Sequence, residues 1–309
     1  MLRRNVLILH TGALGDFVLC WPLVLALGRL HPQSRIIVVT QASKGVLAEA
    51  ALRVESADVE HGWHGIFAGD PKVDPRVATL IDGAHAIYSF LSGPDETFTQ
   101  NLSARAPEAK VVALRTIPPE GWTKHASQWL LEQLAPQPAM RAAVEQILRS
   151  VSTRGIGTGR SHDGDVVIHP GSGSPAKCWP LKRFVELIER LRRGRRDVRM
   201  LLGEAELERL SDVEIKSLEE HATAVRRPQS YLELYNELRS AAELIANDSG
   251  PAHLGAIVGV PTLALFGPAS DPAVWKPLGP RVLTLREETM EKLTVAKVAA
   301  AAKTLAGGG

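Results

Sequence analysis

Short apolar runs alternate along this chain with longer segments of helical period, and that rhythm permits few folds. A run such as Val6-Leu-Ile-Leu9 has no polar alternation and is too short for a buried helix, so it reads as a strand covered on both faces. Strands of this kind, each followed by a helix, are the sequence form of a parallel sheet with crossover helices. The first half predicts strands at 5–10, 35–40, 84–90 and 110–114. Helices are expected at 17–30, 43–51, 95–106, 123–134 and 140–151, with Pro22 kinking the first or delaying its start. The pattern then restarts. Strands are expected at 166–169, 198–202, 244–247 and 261–266, and helices at 181–193, 204–221, 231–239, 250–258 and 290–305. Residues 152–165 carry glycines and polar residues without an apolar period and read as a linker whose glycines could absorb a hinge motion. The expectation is an α/β protein of two domains, 1–151 and 166–309.

Composition narrows the function. The first 160 residues carry 16 basic and 14 acidic side chains and the remainder 20 and 20, without the basic excess of a nucleic-acid binder. Cys20 and Cys178 form neither a disulfide framework nor a metal pair, which suits a reducing cytoplasm. No apolar run reaches the roughly 18 residues of a membrane span, and the N-terminal run is too short for a signal-peptide core. A soluble protein is expected, with room for peripheral contact with a membrane surface.

Three loops could carry chemistry, and each follows a strand, where ligands bind in open α/β sheets. His10-Thr-Gly-Ala-Leu-Gly-Asp16 lets the backbone approach a ligand at Gly12 and Gly15. Asp16 there is either a cap accepting backbone N–H bonds or a chemical group; the residues leave both open. The spacing is not the three-glycine dinucleotide fingerprint. His169-Pro-Gly-Ser-Gly-Ser-Pro-Ala-Lys-Cys-Trp-Pro180 offers backbone N–H groups around Gly173, the hydroxyls of Ser172 and Ser174, and the Lys177 cation, a set suited to phosphate. Pro180 suits the first turn of the following helix. Asn247-Asp-Ser-Gly-Pro-Ala-His-Leu-Gly255 opens a helix that Asp248 or Ser249 can cap, with Gly250 at its start and its positive end at a second anion site. A lone histidine such as His253 is more often packed in a core than a ligand. Asp163 and Asp165 read as a turn, and His61 and His64 lack further ligands, so no metal site is expected.

In this order, the loops resemble glycosyltransferase family 9, the ADP-heptose:lipopolysaccharide heptosyltransferases. Gly12 to Asp16 with Pro22, the 169–180 loop, the 247–255 loop, and the later Gly259-Val-Pro261 and Leu265-Phe-Gly-Pro268 carry the likeness, with His125 and Trp129-Leu-Leu131 between them. The resemblance implies a GT-B fold, two facing Rossmann-like domains with a C-terminal helix able to pack back on the first. It implies inverting transfer of heptose from ADP-heptose to a lipopolysaccharide core or related glycan acceptor, at the cytoplasmic face of the inner membrane, with no metal and no cofactor beyond the nucleotide sugar. By the same likeness, Asp16 is the general base, and Lys177 with Ser172 and Ser174 neutralises the departing diphosphate. Asp248, Ser249, Gly250 and His253 line the donor site, and Glu206 lies where the family contacts the nucleoside. His10, Thr11 and Gly12 fall on the acceptor side. His10 stands where the family commonly has Arg or Lys, and a neutral histidine is a weaker partner for an anionic acceptor.

That assignment has a physical logic. Glycosyl transfer leaves negative charge on the departing diphosphate, where hydrogen-bond donors and cations are most effective. A nucleotide-sugar epimerase would need further acid and base groups that no motif supplies, and a binding protein without transferase activity would not need both Asp16 and Lys177.

Overall fold

Buried strands pair only with strands, and the apolar runs of each half assemble into one parallel sheet. A computed structural model describes residues 4–69, 73–157 and 164–307. In the first half the elements run β1 (Asn5–Leu9), α1 (Leu14–Leu30), β2 (Arg35–Thr40), α2 (Ala42–Leu52), β3 (Glu55–Asp58), α3 (His64–Ala68), α4 (Pro75–Asp82), β4 (Ala84–Ser89), α5 (Thr97–Arg105), β5 (Lys110–Ala113), α6 (Ala126–Gln133) and α7 (Pro138–Arg154). Their sheet has the order β3-β2-β1-β4-β5. Every pairing is parallel, with Leu7 of β1 opposite Ile37 on one side and Ile87 on the other.

The second half repeats the plan with β6 (Val166–His169), α8 (Leu181–Arg193), β7 (Val198–Leu201), α9 (Glu204–Arg209), α10 (Asp212–His221), β8 (Ala224–Arg226), α11 (Tyr231–Arg239), β9 (Glu243–Asn247), α12 (Gly250–Ile257), β10 (Thr262–Phe266), α13 (Pro272–Trp275), β11 (Val282–Arg286) and α14 (Val295–Gly307). Its parallel sheet has the order β11-β10-β9-β6-β7-β8. In both sheets the winding reverses beside the first strand, between β1 and β4 and between β6 and β9. Such reversals open a crevice at the carboxyl ends of the strands, which is where each candidate loop begins.

The chain divides into two compact units, Met1–Trp122 with Ala126–Leu148, and Thr123–His125 with Arg149–Gly309. Each has its own core. The first is built on Leu7, Leu9, Ile37, Val39 and Ile87 of the sheet, with Trp63 and Phe98 among the side chains covering it. In the second, α8 buries Phe184, Leu187, Ile188 and Leu191, the i, i+3, i+4, i+7 stripe of an amphipathic helix, while Arg190, Arg192 and Arg193 are exposed. Helix α14 adds Val298, Ala302 and Leu305 to this same core, so the C-terminal helix packs on the second unit.

Several expectations are corrected. Helix α1 starts early, at Leu14, and runs through Pro22, whose missing N–H leaves the Val18 carbonyl without its usual partner. The helix expected over 204–221 is two, because Ser211 and Glu214 form a capping box that starts α10 anew. The helix expected over 290–305 is a 3-10 turn at Met290–Lys292 followed by α14. Strands β3, β8 and β11 are sheet edges whose half-exposed residues make no apolar run. Residues 152–154 of the expected linker continue α7, and 158–163 lie outside the described residues.

Helix α7 ends at Gly155, which takes the left-handed conformation (φ +69°) that L residues disfavour. A Cβ there would lie 2.9 Å from both the Ile257 carbonyl oxygen and the Gly259 Cα. Gly155→Ala is therefore expected to destabilise the second unit by about 1–2 kcal/mol. Urea unfolding checks this, and an unchanged midpoint would mean that the backbone relaxes.

Candidate functional site

In the second unit, the site is organised by the last residue of β9 and the one after it. Asn247 is fully buried, and its side chain bridges to the neighbouring strand's loop. Its Nδ2 donates to the Pro170 carbonyl at 2.7 Å, and its Oδ1 accepts the Trp179 N–H at 3.0 Å. One amide thus holds both ends of the glycine-rich loop after β6. The Trp179 ring, itself buried, anchors the loop from below by donating Nε1–H to the Leu293 carbonyl at 2.8 Å. Pro180 is the N-cap of α8 and not a residue of its first turn.

Asp248 follows. Its carbonyl accepts the Ser172 hydroxyl at 2.6 Å, and its Oδ2 accepts from Lys177 Nζ at 2.7 Å. Burial would raise the Asp248 pKa, but the polar groups of His253, Lys177 and Ser270 outweigh it and hold the carboxyl at about 2. The carboxylate is therefore ionised at neutral pH, and it holds the Lys177 ammonium at the mouth of the loop, where the lysine side chain keeps 31% exposure.

Ser249 occupies the N-cap of α12, yet its hydroxyl makes no capping bond and is buried without a partner. His253 lies within that helix with Nε2 3.9 Å from Asp248 Oδ1, and its buried Nδ1 also lacks a partner. An unsatisfied buried polar group costs roughly 1–3 kcal/mol, so two at one helix N-terminus mark a place built to receive polar atoms. The first-turn N–H groups, starting at Gly250, add donors and the positive end of the helix dipole. Together with Lys177 and the Gly173–Ser174 backbone, they form a surface suited to a diphosphate.

Glu206 lies against the donor-side loop with its carboxylate held within the protein. Its carboxylate accepts the Gly203 N–H at 2.8 Å and the Arg209 guanidinium at 3.3 Å, and it is buried. A Cβ on Gly171 would fall 1.7 Å from Glu206 Oε1. Glu206 thus caps α9 and packs under the donor-side loop, and its oxygens are engaged within the protein. The spacing of Gly203 to Glu206 was the legible signal for that cap.

In the first unit, the loop after β1 carries Asp16, which is the third residue of α1; the N-cap is Ala13. Asp16 is half-buried. Thr11 is exposed, and its carbonyl accepts from Gln41 Nε2 at 3.2 Å. The Gly12 carbonyl accepts from Lys44 Nζ at 2.5 Å. His10 does not offer a surface to an acceptor. Its ring is buried, 5.4 Å from Phe17 and 5.6 Å from Phe90, and a Cβ on Gly12 would come within 2.9 Å of its Cε1. Burial, then the Lys44 charge, lowers its pKa to about 3, so the imidazole is neutral and serves as a floor for the loop. Sequence reasoning missed Gln41, Lys44, Ser270 and the bridging role of Asn247, since side chains far apart in sequence meet there only on folding.

Among the described residues, no three His, Cys, Asp or Glu side chains gather as a metal site, and no helix is long and apolar enough to cross a membrane.

Residues 120–304 match glycosyltransferase family 9 (heptosyltransferase). Lipopolysaccharide heptosyltransferase 3 of Escherichia coli is 29% identical over 138 residues, which are 44% of this chain and 39% of that protein's length. A family 9 glycosyltransferase of Veillonella parvula superposes with a TM-score of 0.71 at 20% identity, covering 98% of this chain and 97% of that one. E. coli ADP-heptose lps heptosyltransferase II gives 0.69 at 17% identity, covering 98% of each. E. coli heptosyltransferase WaaC, solved with ADP, gives 0.65 at 15%, covering 97% of this chain and 99% of that one. The fold shared with these structures is GT-B.

The neutral His10 has a consequence for acid stability. Unfolded, it takes up a proton below its ordinary 6.5; folded, it does so only near 3. Its contribution to stability is therefore present above about pH 6.5 and is lost as the pH falls toward about 3, by up to roughly 1.4 kcal/mol per pH unit. His10→Leu should show a flatter pH dependence of unfolding free energy between pH 6 and 4 than the wild type. Equal slopes would mean that His10 titrates normally in the folded chain.

Proposed function

The chain belongs to glycosyltransferase family 9, and on that premise we propose that it moves a heptose from ADP-heptose to a lipopolysaccharide core acceptor with inversion at the anomeric carbon. The observation that carries this reading is the Lys177–Asp248 pair beside the Ser249 hydroxyl and His253 Nδ1, which have no partner among the described residues, a polar surface at a sheet's reversal point. The names of similar proteins support this choice of donor and acceptor: one is a lipopolysaccharide heptosyltransferase, another an ADP-heptose lps heptosyltransferase.

In this mechanism the diphosphate binds against the N-terminus of α12 and the Ser172–Ser174 loop. As the bond from the anomeric carbon to the diphosphate oxygen breaks, negative charge grows on that oxygen. The Lys177 ammonium and the helix N–H groups stabilise it more strongly than they stabilise the intact donor. Asp16 takes the proton from the acceptor hydroxyl as it attacks the opposite face of the anomeric carbon. A carboxylate placed at the acceptor hydroxyl is a suitable general base for this proton transfer. Lys177 and the helix dipole take the place of a metal's charge, and no resident cofactor is needed. The two unpaired cysteines suit a reducing cytoplasm, with a glycolipid acceptor presented at the inner membrane surface.

Asp16→Asn is expected to cut transfer from ADP-heptose by about 10²–10⁴-fold while leaving ADP-heptose affinity within about two-fold. Wild-type turnover by this variant would remove Asp16 from the chemistry. Transfer should also continue in EDTA; complete loss that Mg²⁺ or Mn²⁺ restores would refute the metal-free mechanism.

A further inference from the structure

Lys44 breaks two local rules at once. It is the third residue of α2, where the helix dipole disfavours a cation, and no acidic side chain accompanies it in that first turn. It is also buried to 6% exposure, which is rare for a lysine. Residues that violate local preferences in this way are commonly held for function. The ammonium donates to the Gly12 carbonyl at 2.5 Å and to Gln41 Oε1 at 2.9 Å, and Gln41 Nε2 in turn donates to the Thr11 carbonyl at 3.2 Å. The first turn of α2 therefore grips two successive carbonyls of the loop that leads into Asp16, while the buried His10 ring supports Gly12 from the other side.

We propose that Lys44 is the positioning residue of the base: it clamps the Gly12 loop that leads into Asp16 from the start of α2 and directs a fixed positive charge toward that loop. The inference rests on the reading of Asp16 as the general base. The charged and titratable groups facing the ammonium are Asp16 from α1, Glu60 after β3, and the neutral His10 at the end of β1. Burial lowers the Lys44 pKa, and Asp16 and then Glu60 draw it back up. Both side-chain contacts are donations to oxygen, which suits the protonated amine. In this proposal the same attraction acts on the Asp16 carboxylate, and removing the charge is read in the acid limb. The carbonyl clamp also fixes the direction in which the carboxylate points, a term to which proton transfer is steeply sensitive.

The two roles separate by mutation. Lys44→Gln keeps a donor for the loop and removes the charge, whereas Gln41→Leu keeps the charge and removes the grip on Thr11. With ADP-heptose and a lipopolysaccharide core acceptor, Lys44→Gln should move the acid limb of the kcat/KM–pH profile upward by at least about half a pH unit. It should also lower kcat about ten-fold, with ADP affinity unchanged. Gln41→Leu should lower kcat with the acid limb in place, and Lys44→Arg should restore the wild-type limb. Should Lys44→Gln not fold, Lys44→Met is measured by the same profile, and a failure of both variants to fold beside a folded Lys44→Arg would show a charge needed only for structure and overturn the proposal. A wild-type acid limb and kcat in Lys44→Gln would also overturn it. If Asp16→Asn is inactive in that case, the base assignment stands and only the role of Lys44 is lost; an active Asp16→Asn removes the base assignment itself.

Discussion

The bridge made by Asn247 is the contact on which the candidate donor site depends. A glycine-rich loop is suited to phosphate because its backbone is bare, and for the same reason it has little to hold it in one shape. Here one buried amide closes that gap. By accepting from Trp179 and donating to Pro170, Asn247 fixes the loop's two ends to the adjacent strand. The next residue uses its carbonyl and its carboxylate to fix Ser172 and Lys177. Two consecutive residues of β9 and its exit thus set both ends of the neighbouring loop and the positions of its Ser172 and Lys177 side chains. A buried hydrogen-bond network of this type is costly to break, since removing one partner strands the others in a medium without water.

The first unit solves the same problem with other means. Its loop after β1 lies over a neutral histidine and is gripped from above by the first turn of α2. The packing on His10 also explains Gly12: any side chain there would press on the imidazole. In each unit the candidate loops stand where the strand order reverses, held by side chains from the neighbouring strand or helix. The sheets supply rigidity, and the loops supply reach.

The Lys177–Asp248 pair illustrates how charge is kept usable. A lone lysine on a loop would sample many rotamers and meet an anion at an entropic cost. Tied to a carboxylate whose pKa is near 2, it is held in one place across the whole physiological range. The carboxylate weakens the net positive charge, and the N-terminus of α12 supplies the additional positive potential.

Sequence by itself determined the architecture and marked the loops at the strand ends. Val6 to Leu9, Val166 to Ile168 and Leu244 to Ala246 are apolar without a break, and only strands buried on both faces tolerate that; the strand-to-helix order then left a parallel, doubly wound arrangement as the consistent outcome. The three loops were legible because glycine, serine, lysine and aspartate cluster at strand ends for reasons that act over a few residues. What sequence did not determine lies where burial is partial or contact is distant. The edge strands β3 and β8 carry no apolar run, and in β11 Thr284 interrupts a short one. The breaks before α10 and α14 depend on whether a local cap outweighs helix propensity, a balance of about a kilocalorie. His10 read as an acceptor-side residue, but Phe17 and Phe90 pack against its ring and bury it. Lys44 is separated by about thirty residues from the Gly12 carbonyl that it grips. Local preference is written residue by residue, whereas the meeting of such distant groups is decided only when the sheet brings their strands side by side.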